Sequence, residues 1–345
     1  MHNCALSPLT KGVQITKAHR FFMKGRLFMT TYQQPKTHWT TKDIPDLTGK
    51  IALISGGSSG IGLEAARALA EKGAEVHLSA RNPQRGQDAR DHLIEATGNR
   101  HIYYHTLDLS SLAVIKKFSE DIPLDRLDIL INSAGLMMPA ERSVTVDGFE
   151  MMWATNYLGG LYLTTQLLAL LKRSEAARVV NLTSLPAGHP KIDLTNVDGH
   201  NYNAWTIYLE TKLAQAQIAR KLDQVFTQKR YPITMMAANP GVAATNLVTK
   251  NAGATSTAMR MGALLFRVFP SIRQSAAEGA LPTLYAATDP HAQGGAVYSP
   301  NNRQNTKGYP ALWKWNETPE MTDQQALDQL LEESLKLLKL PASVL

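Results

Sequence analysis

Cysteine is almost absent: Cys4 stands alone in 345 residues, which rules out an internal disulfide and makes a reducing, cytoplasmic setting the default expectation. Acidic residues are missing before Asp43, whereas Lys11, Lys17, Arg20, Lys24, Arg26, Lys36 and Lys42 are all basic. A good part of the formal charge of +7 therefore belongs to a tail. Charge placed there says little about what a folded body binds, and nucleic acid is not expected as a partner. The acid-free leader suits an organelle-targeting peptide. Met29 suits a translation start that leaves TTYQQPKTHWTTKD as a short arm, and an arm wrapping the domain is the third reading. No stretch approaches the roughly 18 apolar residues of a membrane span, and the N-terminus lacks the continuous apolar run of a secretory signal. An integral membrane segment is thus not expected. What the chain does have is 44% hydrophobic and 19% charged residues, a balance that favours a folded domain over disorder.

From residue 47 onward the pattern is a rhythm of strand and helix, broken over 243–275. IALIS (51–55) is a short apolar run that stops at glycines, and GIGLEAARALAEKG then repeats apolar residues at helical spacing. AEVHLSAR and GQDARDHLIEATG form a second strand and helix, HIYYHTLD and SLAVIKKFSEDI a third pair, and LDILINSAG (127–135) a fourth strand. VDGFEMMWATNYLGGLYLTTQLLALLKRS (146–174) reads as one long helical stretch. ARVVNLTS, AWTIYLETKLAQAQIARKLDQVF, ITMMAANPG, EGALPTLYAATD and GGAVYSP continue the alternation. Strands apolar on both faces, crossed over by helices, predict an α/β fold with a doubly wound parallel sheet of about seven strands. The expected organisation is an arm over 1–46, one domain over 47–300, and a C-terminal extension over 301–345 with an amphipathic helix at 322–340. That helix carries leucines at 327, 330, 331, 335, 337 and 338; it packs on its own domain, forms a subunit contact in a homodimer, or lies on a membrane surface.

SGGSSGIG sets Gly56, Gly60 and Gly62 between the first strand and first helix. The spacing is GxxxGxG, distinct from the GxGxxG fingerprint and from the Walker loop, but the physics of the former applies. Glycines let backbone approach a pyrophosphate, and a helix N-terminus supplies partial positive charge. The alternative is a tight turn without a ligand. The second strand ends in Ala80 and Arg81 where NAD-binding chains place a carboxylate. An arginine there pairs with a 2′-phosphate, which favours NADP(H) over NAD(H).

These motifs, with others in the same order, resemble the short-chain dehydrogenase/reductase family over residues 47–300. Ser55, Gly56, Gly60 and Gly62 match its TGxxxGxG turn with Ser for Thr, and NSAG (132–135) matches NNAG. Asn156, Ser184, Tyr208 and Lys212 match its catalytic tetrad, the last two as YxxxK, and NPG (239–241) with Thr245 matches its PG motif. The resemblance implies a Rossmann-type fold. It implies cofactor contacts from Ser55, Gly56, Ser58, Ser59, Gly60, Ile61, Gly62, Arg81, Asp108, Leu109, Asn132, Ala134, Gly135, Tyr208, Lys212, Pro240, Gly241, Val242 and Thr245. DLTGKIALISGGSSGIG, DGFEMMWATNYLGGLYLTTQLL and the late GGAVY and GYP look like the retinol dehydrogenase and WW-domain oxidoreductase branch, although WW domains are absent. The branch usually has NHLGHF where this chain has NYLGGL, so Tyr157 and Gly160 depart from it. Members of the branch typically act on lipophilic carbonyls or alcohols with NADP(H).

The chemistry asked of these side chains is coherent. Tyr208 both donates and accepts at one phenolic oxygen, but its reference pKa of about 10 is too high for easy use near neutrality. Lys212, four residues on, lies on the same helical face, where its charge stabilises a tyrosinate. Ser184 orients a substrate oxygen, and Asn156 is carried over as the holder of a water linking Lys212 to solvent. The expected reaction passes hydride between a nicotinamide and the carbon of a small-molecule carbonyl or alcohol. A dinucleotide-binding regulatory protein without turnover and an NAD-dependent alcohol dehydrogenase are the alternatives. Candidate substrate contacts are Met137, Leu185, Trp205 and Met261, the last in a lobe over 243–275. Ten histidines form no HxH or HExxH pattern and His101 and His105 read as packing residues, so no metal is expected. Monomer and homodimer remain open.

Overall fold

A computed structural model describes residues 19–23, 26–30, 34–184, 191–243 and 274–345, the first two segments by backbone alone. Those two, His19–Met23 and Arg26–Thr30, pair as a two-stranded antiparallel ladder. The main sheet is built from β1 (Ile51–Ser55), β2 (Glu75–Ala80), β3 (Ile102–Thr106), β4 (Ile129–Asn132), β5 (Ala177–Leu182), β6 (Ile233–Ala238), β7 (Val297–Pro300) and β8 (Pro310–Leu312). The order across it is β8-β7-β6-β5-β4-β1-β2-β3. β3 to β7 in that row are parallel, and β8 alone runs antiparallel, from beyond residue 300. The strand order reverses between β1 and β4, which opens the crevice at the carboxyl ends where ligands bind in doubly wound sheets.

The crossover helices are α1 (Gly60–Glu71), α2 (Pro83–Thr97), α3 (Leu112–Asp121), α4 (Gly159–Gln166), α5 (Leu168–Leu171), α6 (Ala204–Gln228) and α7 (Ala276–Thr288). They divide the core in two. Leu53, Leu130 and Val179 join the cluster under α3, α4 and α6, whereas Ala52, Ile54 and Val180, the next residues along the same strands, join the cluster under α1 and α7. This is the period-two alternation of a sheet covered on both faces.

The long helical stretch expected over 146–174 begins later than its sequence pattern suggests. Gly148 takes φ +87°, Glu150 pairs in an isolated antiparallel bridge with Val144, and the Glu150 carboxylate accepts from the amides of Met152 and Trp153. Residues Trp153–Leu158 then form a π-helical segment before α4. Gly159 makes the next turn possible: a Cβ there would lie 2.2 Å from the Leu109 carbonyl oxygen.

The arm from residue 34 and the C-terminal segment are both bound to this frame. Trp39 is fully buried, with Nε1 donating to Asp289 at 2.9 Å. Gln34 accepts from the amide of Leu312, so from residue 34 the arm is attached. The C-terminal helix runs Gln324–Leu337 and buries Leu327, Leu330, Leu331 and Leu335, with Leu338 just beyond it, against the α6 side. Each such leucine contributes roughly 1.5–3 kcal/mol on leaving water. No helix among the described residues is long and apolar enough to cross a membrane.

Candidate active site

The register of the sheet aligns the polar strand ends. Ser55 of β1 lies beside Asn132 of β4, and Asn132 beside Asn181 of β5. Asn132 Nδ2 donates to Asn181 Oδ1 at 2.9 Å and to Thr164 Oγ1 at 3.1 Å, and Asn181 Nδ2 donates to the Gln215 carbonyl at 3.1 Å. All this occurs in the buried interior, where unpaired amides are expensive. NSAG thus contributes one side chain to a polar chain that runs under the strand ends into α6.

The glycine turn crosses that row. Gly56 has φ +70°, and a Cβ on it would come within 2.7 Å of the Ala134 Cα; a Cβ on Gly62 would come within 2.5 Å of the Gly56 oxygen. Only glycine permits both approaches. The helix that follows has an unusual start. Asn82, Ser111 and Asn203 cap α2, α3 and α6 through their side chains, but Ser59, the N-cap of α1, makes no side-chain cap bond. The first amides of α1 are therefore left for another acceptor, the arrangement that suits a pyrophosphate. The residues present fit a dinucleotide in this respect. Arg81, at the end of β2, is exposed. Asp108 holds the amide and hydroxyl of Ser110 at 2.9 and 2.7 Å, which fixes its carboxylate. After β6, Gly241 takes φ +65°, the Val242 amide donates to the Thr306 carbonyl, and Gln274 donates to the Pro240 carbonyl.

The four residues of the tetrad pattern come together around the ends of β4 and β5. Tyr208 is 8% exposed, with the Ser184 side chain near enough to act on its phenol. Burial pushes its phenol above the usual tyrosine value, and the Ser184 side chain opposes that. Lys212, one turn along α6, is 7% exposed, with Nζ 5.9 Å from the centre of the Tyr208 ring. Burial alone pulls its ammonium down to about 7. Nζ donates to the Leu182 carbonyl at 2.8 Å and to Gln215 Oε1 at 2.9 Å, and the Lys212 carbonyl accepts from Thr183 Oγ1 at 2.6 Å. Asn156 sits in the π-helical segment. Its Oδ1 accepts from the Leu136 amide at 2.6 Å, and Nδ2 donates to the Leu136 carbonyl at 3.0 Å and to Thr211 Oγ1 at 3.2 Å. Oδ1 lies 3.2 Å, and Lys212 Nζ 3.7 Å, from where a Cβ on Gly135 would stand.

Other candidates are placed differently. Met137 is half-buried against the core, and Trp205, at the start of α6, is 52% exposed. Leu185, Thr245, Met261 and most of the 243–275 lobe lie outside the described residues. His105 packs, but also pairs with His77 through Nε2 and Nδ1 at 2.8 Å. Among the described residues no group of three or more histidines, cysteines and carboxylates is arranged to hold a metal. Three contributors were missed in the sequence: Gln215, Thr211 and Asn181. Gln215 had a signal, since it stands three residues from Lys212 on one helix. Tyr157, one of the two departures from the branch pattern, is bonded to Ser334 of the C-terminal helix at 2.7 Å.

A family model described as short chain dehydrogenase matches residues 50–255. Mouse (Mus musculus) retinol dehydrogenase 11 is 36% identical over 244 residues, covering 70% of this chain and 74% of that one. Mouse polyprenol dehydrogenase is 33% identical over 259 residues, covering 73% and 75%. Among solved structures, an uncharacterised protein from Mycobacterium paratuberculosis aligns with TM-score 0.71 at 28% identity, covering 88% of this chain and 98% of that one. RhlG of Pseudomonas aeruginosa, in a complex with NADP at its active site, aligns with TM-score 0.58 at 28% identity, covering 73% and 95%. With the glycine turn, the strand order and the assembled tetrad pattern, these similarities establish that the chain belongs to the short-chain dehydrogenase/reductase family of oxidoreductases and is related to its retinol-dehydrogenase-like members.

Proposed function

We propose that this protein is an NADP(H)-dependent oxidoreductase acting on a lipophilic carbonyl or alcohol, with Tyr208 as the general acid and base. The observation that carries this reading is the placing of buried Lys212 one turn along α6 from buried Tyr208, its Nζ 5.9 Å from the Tyr208 ring, with the Ser184 hydroxyl on the Tyr208 phenol's side. Two hydroxyls and a cation converge there, at the carboxyl end of the sheet. The uncapped first turn of α1 takes the pyrophosphate, and exposed Arg81 takes the 2′-phosphate, in keeping with the NADP held by RhlG.

Bound nicotinamide supplies or accepts the hydride. Ser184 orients the substrate oxygen. Tyr208, kept protonated by burial, donates its phenolic proton to that oxygen in the reducing direction and takes it back in the oxidising one. Lys212 stabilises the tyrosinate left behind, an effect enlarged by exclusion of water. Asn156 has its amide committed to Leu136 and Thr211, so we assign it the task of holding the chain after β4 against α6. The names of the retinol and polyprenol dehydrogenases support a lipophilic substrate, and half-buried Met137 and exposed Trp205 are the described apolar side chains proposed to meet it.

The test is loss of NADPH absorbance over a panel of aliphatic, aromatic and polyisoprenoid aldehydes and ketones, in wild type and Tyr208→Phe. The variant should bind NADPH and lose about two to four orders of magnitude in turnover; equal turnover in both proteins would rule Tyr208 out as the acid.

A further inference from the structure

Lys212 presents a problem of charge in a buried place. An ammonium has three N–H donors and no acceptor, and each donor needs an oxygen when water is excluded. Two of them go to the Leu182 carbonyl and to Gln215 Oε1. The first is fixed by the backbone of β5 and would be present whatever residue stood at 215. The second is a choice of side chain. Gln215 is 3% exposed, on the face of α6 that packs on β5, where an apolar residue would lose nothing on burial. A cationic donor at 2.9 Å requires the oxygen, not the nitrogen, of the Gln215 amide to face Lys212.

Gln215 is itself held. Its backbone carbonyl accepts from Asn181, whose Oδ1 accepts from Asn132, which also donates to Thr164. Hydrogen bonds from the end of β4 thus reach the Gln215 main chain through Asn181, and the side chain of the same residue meets the ammonium. We infer that Gln215 is a positioning residue for the proposed hydride-transfer site: its side-chain oxygen holds Lys212 Nζ at the end of β5, one helical turn from Tyr208. The inference rests on the proposed roles of Tyr208 and Lys212 for its catalytic consequence, but not for the contact itself. Burial leaves the Lys212 charge finely balanced near neutral pH, so a change in one acceptor is readable. Gln215→Leu removes an acceptor and favours the neutral amine; Gln215→Glu keeps an oxygen there and adds a negative charge, which favours the ammonium.

The experiment reads Lys212 directly, from the pH titration of its side-chain carbon resonance in protein labelled with 13Cε-lysine, assigned by its loss in Lys212→Met. The midpoint should move down by about one pH unit or more in Gln215→Leu and up in Gln215→Glu. The alkaline limb of kcat, where rate falls as the ammonium is lost, should move with it, and Gln215→Leu should lower kcat by about ten- to a hundred-fold with little change in the KM for NADPH. Midpoints unmoved in both variants overturn the inference; if Gln215→Leu does not fold, an unmoved midpoint in Gln215→Glu does so alone. Shifted midpoints in a protein whose wild type reduces no carbonyl uphold the contact with Lys212 and refute the proposed reaction instead.

Discussion

Lys212 and His105 are both bases that burial holds below their usual range, the one at about 7 and the other at about 4. Their surroundings are not alike. His105 Nε2 meets His77 Nδ1 at 2.8 Å, and His77 Nε2 meets the Glu75 carboxylate at 2.9 Å. These rings stack on one another, with His77 also stacked on Tyr103 and His105 edge-on to Phe118 of α3. The chain of partners closes on itself within β2 and β3, at the outer side of the sheet. Lys212 instead lies beside a hydroxyl pair, Ser184 and Tyr208, and among strand ends whose neighbour is the uncapped turn of α1. Shifted ionisation reports burial in both places; only the second combines it with groups that can exchange a proton with a ligand.

The sharpest way to break this contrast is to remove each base in turn. Lys212→Met should lower NADPH-dependent turnover by about two to four orders of magnitude, whereas His105→Phe should leave it unchanged. Parallel assays with melting curves check both, and a comparable loss of turnover in folded His105→Phe would dissolve the distinction.

A second separation uses pH. Folding lowers the pKa of His105 from 6.5 to about 4, through burial first and the neighbouring His77 second, and His77 is lowered too, by burial against the pull of Glu75. The unfolded chain therefore binds the proton more readily across that window. Stability from this pair is fully present above pH 6.5 and is lost as pH falls toward 4. Melting temperature should drop through this range, and His105→Phe should flatten the drop. An equally steep acid limb in that variant would place the linkage elsewhere.

The smallest expected effect concerns the C-terminal helix. Tyr157→Phe removes the buried bond to Ser334 and should cost about 1 kcal/mol in urea unfolding. Turnover should fall by less than in the Lys212 variant, because the Tyr157 hydroxyl is bonded to Ser334 of the C-terminal helix and not to Lys212. A loss of activity as large as that of Lys212→Met would mean that the π-helical turn, and not the base, is the sensitive element.

Much of this was legible in order of residues. IALIS forms the strand over 51–55 that its pattern predicts, because a β-branched apolar run cut short by glycines has few other stable forms. Tyr208 and Lys212 share a helical face by spacing alone, and Asn203 begins that helix as an N-cap should. What escaped was set by contacts distant in sequence or by competition within a segment. The stretch over 146–174 has helical periodicity throughout, but Gly148, the Glu150 bridge and the approach of Gly159 to Leu109 decide where the helix starts and how its turn is wound. The eighth strand comes from residues 310–312, whose three-residue length carries too little pattern to see. His77 and His105, 28 residues apart, meet only because β2 and β3 are neighbours.

The sequence by itself determined the alternation of strands and helices, the glycines that only a close backbone crossing requires, and the family to which the tetrad pattern belongs. These depend on local spacing, which a chain carries with it before it folds. The tertiary structure decided that Tyr208 meets Ser184 and that Lys212 is stripped of solvent and handed to Gln215 and Leu182. It also decided that Tyr157 is spent on the C-terminal helix. Burial and hydrogen-bond partnership depend on which surfaces the packed layers bring together, and that is fixed only when the strand order is.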